Sequence, residues 1–183
     1  MSEYQIAVII GSIRRDSFNR RLADAVARLA PPGFAFKKIG IADLPLYNQD
    51  DDDHQAAPVQ HLKSVIAASQ GVLFVTAEYN RSMPGVLKNA IDHASRPYGH
   101  SAWAGIPAGV IGVSVGPLGT TLAQQHLRNV LASLDMPTLG QPEVYLTTKE
   151  GLFDAEGNLG LASRPLLQDW MGSYVDWVTR HVR

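Results

Sequence analysis

A turn rich in hydrogen-bond donors lies near the start of the chain, at residues 11–19. It follows the apolar residues 6–10, which have the character of a buried parallel strand. It precedes apolar residues at helical spacing, namely Leu22, Val26 and Leu29. A strand-to-helix turn presents free backbone N–H groups at the helix start, where the helix dipole favours an anion. The sequence therefore predicts capture of a phosphate at this turn.

Four side chains of this turn can donate hydrogen bonds to phosphate oxygens: Ser12, Arg14, Ser17 and Asn19. The turn lacks G-x-x-x-x-G-K-S/T, which disfavours a nucleoside triphosphate with magnesium. It also lacks G-x-G-x-x-G, which disfavours a pyrophosphate lying along a Rossmann turn. A hydroxyl-rich turn suits one terminal phosphate monoester. Helix capping by Ser17 or Asn19 is the simpler interpretation, but it explains neither Ser12 nor Arg14.

A second polar turn, residues 77–85, follows residues 71–76, the clearest strand candidate. Tyr79 offers a flat ring face, and Asn80 offers a donor and an acceptor for the edge of a heterocycle. Ligands bind at the carboxyl ends of strands in parallel sheets. An ordinary loop around a packed tyrosine is the alternative, and we favour contact with a planar ligand.

A third turn begins at residues 112–116, Gly-Val-Ser-Val-Gly, which match G-x-S-x-G, the nucleophile elbow of serine hydrolases. In that alternative Ser114 is the nucleophile, and His126 or His181 is the base. The chain is short for a hydrolase of this type, and the phosphate turn would stay unexplained.

The apolar segments alternate in a βα pattern, with strands predicted at residues 34–39, 71–76 and 107–114 and a last strand within 136–145. This predicts a three-layer α/β fold with a doubly wound, five-stranded parallel sheet in the flavodoxin-like order 2-1-3-4-5. The loops after strands 1, 3 and 4 then meet at one crevice. The final helix, about residues 162–182, carries a predicted core stripe of Leu166, Trp170, Tyr174, Trp177 and Val178.

The composition favours a single domain over residues 1–183, with a net charge of −1 and no cysteine. No basic block indicates a nucleic-acid partner, and the chain has no disulfide framework, thiolate nucleophile or cysteine metal site. The acidic residues 50–53 are interpreted as a solvated run rather than a metal site. There is no room for a signal peptide before the first strand and no membrane-spanning apolar run, so we expect a cytoplasmic protein.

The chain resembles the NAD(P)H-dependent FMN reductases, the flavodoxin-like quinone, chromate and ferric reductases. The resemblance rests on Gly11-Ser12-x-Arg14-x-x-Ser17-x-Asn19-Arg20-x-Leu22-Ala23 and on Glu78-Tyr79-Asn80, Pro84-Gly85, Leu87-Lys88-Asn89-Ala90-Ile91-Asp92 and Ser95-Arg96-Pro97. It implies that the first turn holds the FMN phosphate. It also implies that Glu78, Tyr79, Asn80, Arg81 and Ser114 surround the isoalloxazine. The chain departs from the family pattern at Ala77, where proline is usual, and at His93, where tryptophan is usual.

The resemblance further implies a ping-pong reaction from NADPH or NADH through FMN to a quinone, flavin, azo compound, chromate or ferric chelate. Asn80, Arg81 and Arg96 are then the expected acceptor contacts, and the enzyme is expected to be a homodimer or homotetramer. No catalytic side chain and no metal are expected, because the flavin carries the chemistry. A non-enzymatic electron carrier of the flavodoxin type is the remaining alternative. Such carriers are usually strongly acidic, whereas this chain is nearly neutral.

Overall fold

The computed structural model describes residues 4–182. Within them, one sheet contains five parallel strands: β1 (Tyr4–Gly11), β2 (Phe34–Ile39), β3 (Gly71–Thr76), β4 (Ala108–Ser114) and β5 (Tyr145–Thr147). The strand order is β2-β1-β3-β4-β5, which confirms the predicted flavodoxin-like topology. Gly11 lies opposite Thr76, and Thr76 lies opposite Gly112, so the three central strands end near the same edge.

Helices cover both faces of the sheet: α1 (Phe18–Ala27), α2 (Ala57–Ala67), α3 (Gly85–Ala94), α4 (Thr121–Ser133) and α5 (Arg164–His181). Side chains of β1 alternate between the two faces. Ile6 and Val8 pack with α1 and α5, whereas Ala7 and Ile9 pack with α2, α3 and α4. Burial of the central strands β1, β3 and β4 on both faces explains their continuous apolar runs. None of the helices within residues 4–182 is long and apolar enough to cross a membrane.

The last strand is much shorter than predicted, because only Tyr145–Thr147 pairs along β4. In the preceding segment, Thr138 makes a single isolated bridge with Ala108. Pro137 and Pro142 lack the N–H that a regular ladder needs, and regular pairing with β4 begins only after the second proline. The predicted start of this strand, residue 136, is therefore wrong.

The buried stripe of α5 is also offset from its prediction at one position. Leu166 is 47% exposed, whereas Leu167 is fully buried. The observed stripe is Leu167, Trp170, Met171, Tyr174 and Val178, with Trp177 only partly buried. Spacings of three and four residues keep one face toward the sheet, and Leu166 falls outside that face. The acidic run forms a short 3-10 helix, Gln49–His54, whose acidic side chains are exposed except for the half-buried Asp52.

Candidate active site

The loops that follow β1, β3 and β4 line one crevice of about 120 Å³ at the carboxyl edge of the sheet. The first loop contributes Ser12, Arg14, Ser17 and Asn19. The second contributes Glu78 and Tyr79, and the third contributes Ser114 and Val115. This is the meeting of three loops that the strand order predicts. The crevice is smaller than a typical ligand pocket of roughly 300–1,000 Å³, so it is a shallow cleft.

Two buried serines of the first loop keep their hydroxyl protons free. Ser12 Oγ accepts the N–H of Arg14 at 3.4 Å, and Ser17 Oγ accepts the N–H of Arg20 at 3.3 Å. Ser17 is therefore the N-cap of α1. Because each oxygen acts as the acceptor, each hydroxyl can still donate to an anion. The first backbone N–H groups of α1 lack partners inside the helix and add to this donor set.

The guanidinium of Arg14 is held against its own turn. Its Nε donates to the carbonyl oxygen of Asp16 at 3.0 Å, and its Nη2 donates to the same oxygen. The guanidinium carbon lies 5.1 Å from the centre of the Phe18 ring. Arg14 therefore shapes the turn and supplies positive charge at the mouth of the crevice.

The Asn19 side chain links the first loop to the third. Its Nδ2 donates to the carbonyl oxygen of Val113 at 2.9 Å, and its Oδ1 accepts the N–H of Val113 at 2.9 Å. The residue is 3% exposed. The amide thus ties the start of α1 to β4, and it positions the first loop beside the third.

The second loop contains a tight reversal at residues 79–82. Tyr79 and Ser82 exchange two backbone hydrogen bonds of 3.0 Å each. Asn80 and Arg81, between them, both have positive φ, 52° and 62°. Arginine rarely adopts this left-handed conformation, which costs roughly 1–2 kcal/mol. The reversal leaves Tyr79 55% exposed beside the crevice, where its ring face can meet a ligand.

The Glu78 carboxylate joins the second loop to the third. Its Oε2 accepts the backbone N–H of Ala123, in the first turn of α4, at 3.0 Å. Among the described residues, Thr120, the N-cap residue of α4, makes no side-chain cap hydrogen bond. Glu78 therefore supplies the missing acceptor from a neighbouring loop. Sequence reasoning missed this function, because the two partners are 45 positions apart.

The G-x-S-x-G match has a structural explanation. A Cβ on Gly112 would lie 2.2 Å from the carbonyl oxygen of Thr76, so this glycine is required by the close approach of β3 and β4. The Ser114 hydroxyl donates to the carbonyl oxygen of Gly119. Neither candidate base is paired with it: His126 Nδ1 lies 3.0 Å from Ser82 Oγ, and His181 Nδ1 lies 2.8 Å from the Trp177 carbonyl oxygen. The arrangement does not support a serine nucleophile.

The three predicted acceptor contacts do not line the crevice. Asn80 and Arg81 are exposed in the reversal just outside it. Arg96 lies beyond the far end of α3, a helix of ten residues, so it is separated from Arg81 by about 15 Å of helix. Arg96 Nη1 contacts Ser95 Oγ at 3.1 Å. Within one chain, the structure therefore does not bring Arg96 to the site.

The two departures from the family pattern have different settings. His93 is 6% exposed, its Nε2 lies 2.8 Å from the carbonyl oxygen of Pro45, and its ring packs edge-on against Tyr47. It is a satisfied histidine inside the chain. Ala77 lines the crevice itself and accepts the Thr76 hydroxyl proton at its carbonyl oxygen at 2.7 Å, so a local hydrogen bond holds this loop start.

The donor set fits a phosphate monoester attached to a planar ring. The serine hydroxyls and the start of α1 provide donors at one end of the crevice. Tyr79 and Val115 provide exposed apolar surface at the other end. FMN combines a phosphate monoester with a planar ring, so it matches this donor set.

Comparison with known proteins agrees with this chemistry. The model of the family described as NADPH-dependent FMN reductase matches residues 4–151. A 2-hydroxy-1,4-benzoquinone reductase of a Burkholderia species is 51% identical over 175 residues, 95% of this chain and 96% of that protein. A quinone reductase of Pseudomonas putida is 46% identical over 177 residues, 96% of this chain and 95% of that protein.

A solved structure has the same architecture. FerB, a flavoenzyme NAD(P)H:(acceptor) oxidoreductase from Paracoccus denitrificans, superposes with a TM-score of 0.94 at 39% identity, over 98% of this chain and 100% of that chain. Neither the serine hydrolase nor the electron carrier finds support in these similarities. The chain belongs to the NADPH-dependent FMN reductase family, and it is a flavin-dependent oxidoreductase that uses FMN and a reduced nicotinamide nucleotide.

Proposed function

We propose that the enzyme reduces quinones with electrons from NADPH or NADH, and that FMN bound in the three-loop crevice carries them. The observation that supports this most directly is the crevice itself, which combines an anion-binding turn with an exposed aromatic ring. FMN supplies the transfer of two electrons, first from the nicotinamide and then to the acceptor. Quinones are proposed as acceptors because two similar proteins carry quinone reductase names. We place this reaction in the cytoplasm.

The protein's own residues bind FMN and orient it. The hydroxyls of Ser12 and Ser17, with the start of α1, hold the phosphate, and Arg14 adds positive charge at the mouth. Tyr79 and Ser114 bound the ring on two sides. Neither residue has to give or take a proton. Recognition of FMN thus combines phosphate capture at one end with a flat wall at the other.

We also propose that the enzyme is a homodimer or homotetramer in which a second copy completes the site. One chain encloses only about 120 Å³. Large apolar side chains of the three loops are exposed, namely Ile13, Tyr79, Val115 and Leu118. A second copy would bury these side chains and cover the flavin. It would also be the source of any contact between Arg96 and the acceptor.

Arg81 and Asn80 are proposed to contact the acceptor from the strained reversal. Arg81 is exposed and has no salt-bridge partner within residues 4–182. Replacement of Arg81 or Arg96 by alanine should lower kcat/KM for chromate more than for a neutral quinone, and high salt should reduce this difference. Equal losses for the two acceptors at all salt concentrations would assign both arginines to structure.

The decisive experiment combines flavin binding with turnover. The purified protein should bind FMN at one per chain, and a quinone should accelerate its oxidation of NADPH or NADH. Ser12→Ala removes one donor to a charged acceptor, so the FMN dissociation constant should rise about 10- to 150-fold.

Arg15→Ala is the matched control for this variant, because Arg15 is an exposed neighbour that does not line the crevice. It should leave the FMN dissociation constant within about twofold of the wild-type value. A Ser12→Ala protein that binds FMN as tightly as the wild type contradicts the assignment of the phosphate to this turn.

A further inference from the structure

A second groove of about 300 Å³ adjoins the phosphate turn on its β2 side. Its floor is apolar and includes Ile10, Ile39 and Ile41. Arg20 and Lys38 are the charged side chains that line it, and no carboxylate among the described residues does so. This volume lies at the lower end of the range for ligand pockets, roughly 300–1,000 Å³, and exceeds that of the crevice.

The groove and the crevice share one residue. Ser12 lines both, so a phosphate held by its hydroxyl has the flavin crevice on one side and this groove on the other. FMN ends at that phosphate. In FAD the same phosphate continues through a pyrophosphate linkage to an adenosine. A ligand that follows the surface from the first phosphate therefore enters a cavity that already exists.

We infer that this groove binds the adenosine-phosphate half of FAD, so that the enzyme binds FAD as well as FMN. The inference rests on the proposed flavin site and extends it. It does not require the Rossmann arrangement that the sequence disfavours, because only the first phosphate lies on the turn. The second phosphate lies outside it, beside Arg20, and the adenine covers the isoleucine floor.

The charges of the groove match this occupant. Arg20 is exposed at the start of α1, and its guanidinium has no hydrogen-bond or ion-pair partner in the described part of the chain. Lys38 pairs with Asp24 at 2.5 Å, in a contact where both side chains are at least 40% exposed. Exposed pairs of this kind contribute little, so Lys38 can turn to a phosphate at small cost. The two cations balance the two charges of a pyrophosphate.

The test is a titration of flavin-free protein with FMN and with FAD, each followed by flavin fluorescence. The wild type should bind FAD within about tenfold of its FMN affinity. The double variant Arg20→Ala/Lys38→Ala should raise the ratio of the FAD to the FMN dissociation constant at least about tenfold, because it removes charge-assisted contacts that only FAD makes. Expressing the effect as a ratio cancels any influence of Arg20 on the first phosphate.

Two further variants separate the effect of charge on FAD binding from the effect of the volume of the groove. Lys37→Ala is the matched control, since Lys37 precedes Lys38 on β2 and its side chain points to the opposite face; it should leave the ratio unchanged. Ala42→Trp places a ring in the groove without touching the crevice, and it should raise the ratio while FMN affinity stays at the wild-type value.

The inference is overturned if wild-type protein binds FMN but binds FAD more than about a hundredfold more weakly. It is also overturned if the double variant changes both flavins equally, or if it raises KM for NADPH while the flavin ratio is unchanged. That last result would assign the groove to the reductant. Failure of FMN itself to bind would instead contradict the proposed function, so the two failures are distinguishable.

Discussion

Glu78 provides a sharp test of how the crevice is assembled, because its carboxylate joins two of the three loops. Its Oε2 accepts the N–H of Ala123 at 3.0 Å, at a helix start with no side-chain cap from Thr120 among the described residues. A hydrogen bond to a charged acceptor contributes about 1.5–3 kcal/mol, and a negative charge is also favoured at the start of a helix. Glu78→Ala should lower the unfolding free energy of the flavin-free protein by about 1.5–3 kcal/mol. Glu78→Gln keeps a neutral acceptor, so it should lower that free energy by about 1 kcal/mol.

The measurement is urea-induced unfolding of the flavin-free protein, with the FMN dissociation constant determined in parallel. Gln125→Ala is the matched control on the exposed side of α4, and it should change the unfolding free energy by less than about 0.5 kcal/mol. FMN affinity should fall more in the alanine variant than in the glutamine variant, because the third loop loses its anchor. If both Glu78 variants lose FMN affinity while the flavin-free protein keeps its stability, the reasoning is refuted, since the carboxylate would then act on the flavin directly.

Three further predictions concern stability. Burial raises the pKa of Tyr174 well above its usual value, and its hydroxyl has no partner within residues 4–182, so Tyr174→Phe should raise the unfolding free energy by about 1–3 kcal/mol. Above about pH 10 the phenol ionises in the unfolded chain but not in the folded chain. In urea unfolding, the unfolding free energy of the wild type should therefore fall by about 1.4 kcal/mol per pH unit relative to that of the variant. The control Tyr98→Phe, at an exposed position, should keep the wild-type dependence of the unfolding free energy on pH. Identical slopes for wild type and Tyr174→Phe would contradict this. Asn19→Ala leaves the N–H and carbonyl of Val113 without partners and should cost about 2–6 kcal/mol in the same assay, from roughly 1–3 kcal/mol for each group; a loss below about 1 kcal/mol would show that the pairing is dispensable. Arg81→Gly relieves a positive φ and should raise the midpoint of thermal unfolding by the equivalent of about 0.5–1 kcal/mol. Arg81→Ala removes the same charge and should not raise this midpoint. Equal midpoints for the two variants would assign the effect to the charge instead of the backbone conformation.

The amino-acid sequence determined the strands that are buried on both faces. Residues 71–76 were predicted as a strand and are observed with those bounds, because a parallel strand covered on both sides must be apolar throughout. Residues 34–39 are also observed with their predicted bounds, as an edge strand whose Lys37 and Lys38 are exposed. The strand order also followed, since right-handed crossovers leave few arrangements for this alternation of elements. The position of the candidate site followed in turn, because the carboxyl ends of these strands share one edge.

Local patterns failed where pairing depends on a distant partner. The segment from residue 136 has β-like composition, yet only Tyr145–Thr147 forms a regular ladder with β4, because two prolines withhold donors from the ladder. Leu166 and Leu167 are adjacent and chemically identical, so no local signal says which of them faces the sheet. The tilt of α5 on its neighbours decides that.

Within the candidate site, residue types predicted which hydrogen bonds each side chain was able to make. Tertiary structure alone decided which of them it makes. Asn19 and Val113 are 94 positions apart, and Glu78 and Ala123 are 45 apart, yet each pair is in contact. From the sequence alone, an amide or a carboxylate near a turn is as suitable for binding a ligand as for pairing with the backbone of another loop. The sheet brings unsatisfied backbone groups of another loop within reach of the side chain, and the side chain pairs with them. Leaving a buried polar group unpaired costs more free energy than a contact with a ligand in a solvated crevice would contribute.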